Sequence, residues 1–252
     1  MFRTSLSHPH RALVEVGGLA ALYALYELVR GAGHSSLQAA RAHADAIVSL
    51  ERNLNVFHER AIQEWVQGVP VLPMVLGAAY MTLHLGATAL VVRWVYRNRP
   101  NAFPLVRTAL IASTAIALVG YVLYPAAPPR LAGIGFDDTV SAHTGLNLSS
   151  DLLGAFYNPY AAVPSLHFGY ALLVGVALAV LAERRWVRVL GAVYPAFMLF
   201  DIVATGNHFL VDATVGGLVT VAGWWVARAL LSPTPARRHT VVRPVVAAHP
   251  AS

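Results

Sequence analysis

The chain has 252 residues, 57% of them hydrophobic and only 12% charged, and its mean hydropathy is +0.57. An ordinary soluble domain carries about 25% charged residues, so this chain is too poor in charge to cover itself with a polar surface; the composition specifies an integral membrane protein and excludes a water-soluble one. The 18 basic residues, all arginine, outnumber the 12 acids to give +6, and the lack of cysteine excludes disulfides, thiolate nucleophiles and Cys-ligated metals.

A bilayer core of about 30 Å needs about 20 helical residues, and six apolar runs meet that need. In chain order they are residues 12–29, 69–92, 108–124, 166–182, 187–205 and 209–227. The first follows Arg3 and Arg11 but contains Glu15 and Glu27 and has no small-residue cleavage site, so it reads as a retained span and not a leader. Between the first two spans, residues 34–67 place Ile47, Leu50, Leu54, Phe57, Ala61 and Trp65 at helical spacing, which predicts an amphipathic helix lying on the membrane. The second span holds His84 as its one titratable side chain besides tyrosine, and the third and fourth lack Asp, Glu and Arg. Pro195 and Asp201 interrupt the fifth, and Asp212 stands near the start of the sixth. Residues 232–252, beginning Ser-Pro-Thr-Pro, read as a disordered basic tail. The expected architecture is all-α: one polytopic domain over residues 1–231, a six-helix transmembrane bundle with an interfacial amphipathic helix before its second span.

The arginines orient this bundle. With a cytoplasmic N-terminus, 13 of the 18 fall in cytoplasmic segments and 5, namely Arg30, Arg41, Arg52, Arg60 and Arg130, on the opposite side. The positive-inside bias therefore puts both termini in the cytoplasm, in what is expected to be the plasma membrane, with residues 125–165 and 206–207 facing outward. Arginines scattered between apolar runs form no stripe for a polyanion, so nucleic acid is not an expected partner.

Two polar clusters meet at that outer face. Pro164-Ser165-Leu166-His167 enters the fourth span, where Ser165 suits an N-cap and His167 then lies in the first turn. Gly206-Asn207-His208-Phe209-Leu210-Val211-Asp212 enters the sixth, where Asn207 suits a cap and His208 and Asp212 stand four apart. A carboxylate so placed can hold one imidazole nitrogen and leave the other as a base or nucleophile. Two helix N-termini converging there would favour an anion. The turn Tyr124-Pro125-Ala126-Ala127-Pro128-Pro129-Arg130 ends in a guanidinium able to fork onto a phosphate. Single intramembrane histidines are commonly packing residues, but two histidines, an aspartate and an arginine at one membrane face mark a site, because each is costly to place in an apolar span.

These residues carry a resemblance. Residues 162–169, AVPSLHFG, and 205–212, TGNHFLVD, resemble the second and third signature motifs of the type 2 phosphatidic acid phosphatase (PAP2) superfamily. The Pro-Ser-Leu-His form, with Tyr-Pro-Ala-Ala-Pro-Pro-Arg and Gly-Phe-Asp-Asp-Thr (residues 135–139) upstream, is similar to the branch containing inositol phosphorylceramide synthase. The likeness covers roughly residues 51–217. It implies a six-helix core and a two-step phosphotransfer without metal or other cofactor on a lipid phosphate or phospholipid. His208 would attack phosphorus, Asp212 would orient it, His167 would protonate the leaving oxygen and Arg130 would bind phosphate oxygens, with Ser165, Asn207 and His84 as further substrate-binding candidates. The chain also departs from the superfamily pattern. Arg99-Pro100 matches the end of the first motif, but Val92 stands where its lysine belongs, and Ile202 where an arginine precedes the third-motif histidine. The expected topology puts Arg99 on the cytoplasmic side, away from the site, which leaves Arg60 and Tyr160 as other outer-face groups.

The resemblance tilts the reading to transfer onto a lipid or polyol hydroxyl, with a phosphatase using water as the alternative. A non-catalytic lipid carrier using the same polar residues would keep its function without His208. A haem protein would need paired axial histidines, whereas His167 and His208 stand at helix starts without a second matching pair.

Overall fold

The structure is a computed structural model and describes residues 17–18, 36–145 and 159–232. The expected first span, apart from two residues, and all but the first residue of the expected tail lie outside the described residues. Among these, the regular elements are all helices, joined by one isolated bridge between Ala126 and Ala161.

Helix α1, Leu37–Asn53, starts at Ser36, whose hydroxyl accepts the Ala39 N–H at 3.1 Å. It buries Ala40, Ala44, Ile47, Val48 and Glu51 on one face. Helix α2 is Glu59–Gln67. The single amphipathic helix expected over residues 34–67 is therefore two helices. The chain breaks at Asn55, whose φ of 57° lies in the left-handed region that asparagine tolerates better than most residues. The stripe also proves wider than one face, because Ile47 is buried while Leu50, Leu54 and Trp65 point outward.

Among the described residues, four further helices are long and apolar enough to cross a membrane: α3 Leu72–Asn98, α4 Phe103–Leu123, α8 Arg185–Ala204 and α9 Leu210–Leu231. These are the marks of an integral membrane protein. Between α4 and α8 the described residues form two short helices, α5 Pro129–Ala132 and α6 Thr139–Thr144, and the 16-residue α7 Leu166–Leu181. Helix α7 is shorter than the four long helices but central, packed against α3, α4, α8 and α9.

Small residues let these helices approach. A Cβ on Gly216 of α9 would run into the carbonyl of Ser165 at the head of α7, so only glycine permits that crossing. A Cβ on Gly191 of α8 would stand 2.7 Å from the Gly175 carbonyl of α7. The antiparallel chain brings the starts of α3, α7 and α9 and the ends of α4 and α8 to one end of the bundle. Helices α1, α2, α5 and α6 cover that end, around a cluster of Ala40, Ala44, Ile47, Ala126, Ala162 and Phe209. The opposite end is tied by Arg99, whose Nε donates to the Leu181 carbonyl at 3.0 Å and whose Nη2 meets Glu183 at 2.7 Å.

Candidate active site

Helix α8 ends at a turn in which Gly206 adopts φ 69°, a left-handed conformation, and a Cβ there would lie 2.6 Å from Nε2 of Gln63. The turn folds the backbone N–H groups of Asn207 and His208 onto the Ile202 carbonyl at 3.0 and 3.1 Å. His208 thus sits in the connection before α9, not on the helix, and Phe209 occupies the N-cap position. Nor does Asn207 act as the cap. Its amide accepts from Arg130 Nε at 3.0 Å and donates to Thr205 Oγ1 at 3.0 Å, while Asp212 caps from inside the helix by accepting the Phe209 N–H at 2.9 Å.

His208 and Asp212 nevertheless meet, with Nδ1 3.4 Å from Oδ2. A nearer partner of Nδ1 is the Ala162 carbonyl at 3.1 Å. A carbonyl can only accept, so Nδ1 carries a proton, and in the neutral imidazole Nε2 is then the nitrogen with the lone pair. The sequence suggested Asp212 for this task; the backbone of the chain leading into α7 does more of it. Both residues are buried, His208 at 5% and Asp212 at 0% exposure.

His167 is the second residue of α7, in the first turn as expected, and Ser165 caps that helix by accepting the Phe168 N–H at 3.4 Å. The Ser165 N–H donates to the Asp212 carbonyl at 2.9 Å, which joins the starts of α7 and α9 directly. The His167 ring is stacked against Tyr80 at 4.4 Å and 9°, and against His84 at 4.0 Å and 28°. It faces His208 at 5.6 Å between centroids, tilted by 51°. His84 stacks in turn on Tyr170, whose hydroxyl contacts that of Thr114. His84 therefore joins the site as a neighbour of His167.

Arg130, on α5, is held at both ends. Its N–H donates to the Gly206 carbonyl at 2.9 Å, and its buried guanidinium reaches Asn207 through Nε and, through Nη1, Asp138 Oδ2 at 3.4 Å. Asp138 also accepts from the Ser141 N–H and hydroxyl, capping α6. Beside it opens a pocket of about 650 Å³ lined by Gln67, Asp137, Asp138, Ser141, Ala142 and His143.

Four of the expected residues, His208, Asp212, His167 and Arg130, thus stand at one end of the bundle with Ser165, Asn207 and His84 around them. Arg60 does not join them, being exposed and paired with Glu64 at 2.9 Å. Tyr160 packs at the edge of the alanine-rich cluster. In the place of the superfamily arginine, Ile202 lends its carbonyl to the turn. The sequence reading missed the Ala162 carbonyl, Tyr80, Asp138 and two buried glutamates, Glu51 and Glu59. A backbone acceptor leaves no signature in residue types. Glu51 did leave one, since it continues the buried face set by Ala40, Ala44, Ile47 and Val48.

The family model of the PAP2 superfamily matches residues 45–226. The chain is similar to a phosphoinositol dihydroceramide synthase from Bacteroides thetaiotaomicron, 29% identical over 126 aligned residues, which take in 43% of this chain and 40% of that protein. No solved structure shows a significant match.

Proposed function

Because the chain belongs to the PAP2 superfamily, we propose that it catalyses phosphoryl-group transfer from a lipid phosphate or phospholipid, by way of a phosphohistidine, onto a lipid or polyol hydroxyl. The observation that carries this reading is the poise of His208: Nδ1 tied to the Ala162 carbonyl and backed by Asp212, Nε2 left with its lone pair, and the His167 ring facing it.

The chemistry follows from that arrangement. His208 Nε2 attacks phosphorus as the bond to the leaving oxygen breaks, and His167, entering protonated, gives its proton to that oxygen. The imidazole of His208 is now a cationic phosphohistidine, and the carboxylate of Asp212 stabilises that charge. His167, now neutral, takes the proton of the incoming hydroxyl, whose oxygen attacks phosphorus and releases His208. Arg130, positioned by Asn207, binds the non-bridging phosphate oxygens, whose charge also favours the N–H groups at the helix starts. Positioning and charge stabilisation supply most of the catalysis that phosphoryl transfer needs.

Transfer is favoured over hydrolysis by the similarity to a phosphoinositol dihydroceramide synthase and by the open pocket beside Asp138, which has room for a polyhydroxyl acceptor. Water in the acceptor's place would make the same site a lipid phosphatase. In this reading the chain has six spans with both termini cytoplasmic, α1 and α2 rest on the outer surface of the plasma membrane, and exposed Leu50, Leu54 and Trp65 meet the bilayer.

The test is to incubate the purified protein in detergent with labelled lipid phosphates and phospholipids, with and without hydroxyl acceptors. Acid-labile phosphate on the wild type and none on His208→Ala is the expected result. A new phospholipid identifies the transferase, inorganic phosphate the phosphatase, and full activity of His208→Ala refutes the covalent step.

A further inference from the structure

Glu51 on α1 and Glu59 at the start of α2 are completely buried, yet the chemistry above uses neither. Glu59 Oε1 accepts the Leu210 N–H at 2.9 Å, and Glu51 Oε1 accepts the Val211 N–H at 2.7 Å. With Asp212 on the Phe209 N–H, three successive free N–H groups at the start of α9 are taken by three different carboxyl groups. The second oxygen of each glutamate has no hydrogen-bond partner. The two side chains cap consecutive N–H groups of one helix turn, so their carboxyl groups are buried within a few ångströms of each other. Two carboxylates buried so close repel, which favours a proton on Glu51.

We propose that Glu51 and Glu59 are positioning residues for phosphoryl transfer: a buried carboxyl pair that clamps the first turn of α9 and so sets His208 and Asp212 against His167. This rests on the reading of His208 as the nucleophile. The pair comes from the two helices that lead into α3, so it ties the cover of the site to its reactive strand of chain. Asp212 already brings a negative charge to this helix N-terminus, so every further carboxylate buried a few ångströms away is opposed by repulsion. Burial first, then the contact with Glu59 and the nearby charges of Glu59 and Asp212, push the Glu51 carboxyl from about 4.5 up to about 9, against the opposing pull of the Val211 N–H. The titratable groups facing it are Glu59 of α2 and Asp212 of α9, and Tyr124 at the end of α4 senses the same Asp212. A displacement of about 1 Å in the first turn of α9 would move the nucleophile out of line and cost about 100-fold in rate.

The experiment compares Glu51→Gln, Glu59→Gln, the double Gln variant and Glu51→Ala in the full-length protein, reading kcat and KM with a lipid phosphate together with thermal unfolding against pH. A single glutamine keeps the acceptor for the helix N–H and donates its amide hydrogen to the remaining carboxylate, so each single variant should keep kcat within about threefold. The double variant removes the pair's one charge and should lose about tenfold or more in kcat at little changed KM, a strongly non-additive result. Glu51→Ala should lose about 100-fold, so that Glu51→Gln counts as rescue.

The pH arm does not depend on activity. Unfolded, Glu51 ionises near 4.5 and folded near 9, so its contribution is complete below about pH 4.5 and is lost as pH climbs to about 9. Wild type should lose melting temperature over that window, and Glu51→Gln should show a flatter profile. Log-additive losses in the two single variants, a double variant as active as wild type, or a Glu51→Gln melting profile parallel to wild type would each overturn the pair. A wild type inactive on every lipid phosphate, with the melting arm as expected, would instead overturn the reading of His208.

Discussion

Replacing Asp212 by asparagine separates two jobs that an aspartate behind a histidine can perform. Where the carboxylate sets the tautomer, its loss puts the proton on the wrong nitrogen and costs about 10⁴ in kcat, as in serine proteases. Here the Ala162 carbonyl, at 3.1 Å, holds the Nδ1 proton more closely than Asp212 does at 3.4 Å, so the tautomer should survive. Asparagine also keeps an oxygen for the Phe209 N–H, so the cap of α9 should survive as well. What disappears is the charge behind the phosphohistidine. At 3.4 Å and an effective dielectric constant of about 20, unit charges interact by about 5 kcal/mol, and the amide dipole retains part of that. A net loss of about 2–4 kcal/mol corresponds to a fall in kcat of about 30- to 1,000-fold. The assay is initial-rate phosphoryl release or transfer from a lipid phosphate in detergent micelles, at saturating surface concentration. Single-turnover trapping of the phosphohistidine should show its formation slowed by a similar factor. A loss as complete as that of His208→Ala would refute the role given to the Ala162 carbonyl, and an unchanged kcat would refute the electrostatic role given to Asp212.

Three further outcomes are expected. Arg130→Lys keeps the charge but loses the Nε donor that Asn207 accepts, so kcat/KM should fall about 10- to 150-fold, equivalent to about 1.5–3 kcal/mol, which steady-state kinetics on a lipid phosphate would measure. Gly216→Ala drives a methyl group into the Ser165 carbonyl and should destabilise the fold by about 1–3 kcal/mol or more, whereas Gly86→Ala, with nothing within 4 Å, should be neutral or stabilising; thermal unfolding in detergent distinguishes them. Because His208 must attack neutral while His167 must enter protonated, kcat/KM should be bell-shaped between about pH 5 and 8, and a flat profile would argue against paired histidine chemistry.

How much of this was legible in the sequence depended on the range of the forces involved. Bilayer thickness imposes a length on apolar runs, so α3, α4, α7, α8 and α9 could be placed from the sequence, with α3, α4 and α9 each running a turn or more further at one end than their apolar cores, whereas the short α5 and α6 left no such signal. The caution is α1 and α2, where periodicity alone joined two helices that a left-handed Asn55 separates. Chemistry-bearing residues stood out for a related reason: polar side chains are costly inside apolar segments, so His167, His208 and Asp212 were conspicuous, and Ser165 followed from local capping rules. Arg130 was found from the rigid turn that presents it.

Whatever depends on contacts between distant segments could not be read in advance. Asn207 suits a helix cap by residue type, but Arg130 and Thr205 take its side chain, and Asp212 caps α9 instead. The tautomer of His208 is set by a carbonyl 46 residues away, and a carbonyl belongs to every residue type alike. Glu51 lies on the buried face of an amphipathic stretch and Glu59 passes as an ordinary charge, but neither shows its partner until the fold brings them to the first turn of α9, 160 and 151 residues along the chain. The sequence by itself determined that this is a membrane bundle with two histidines, an aspartate and an arginine at one end, because hydropathy and local capping act over a few residues. Tertiary structure alone decided which atom holds which, because a hydrogen bond is selected by the distance between segments that the chain does not keep together.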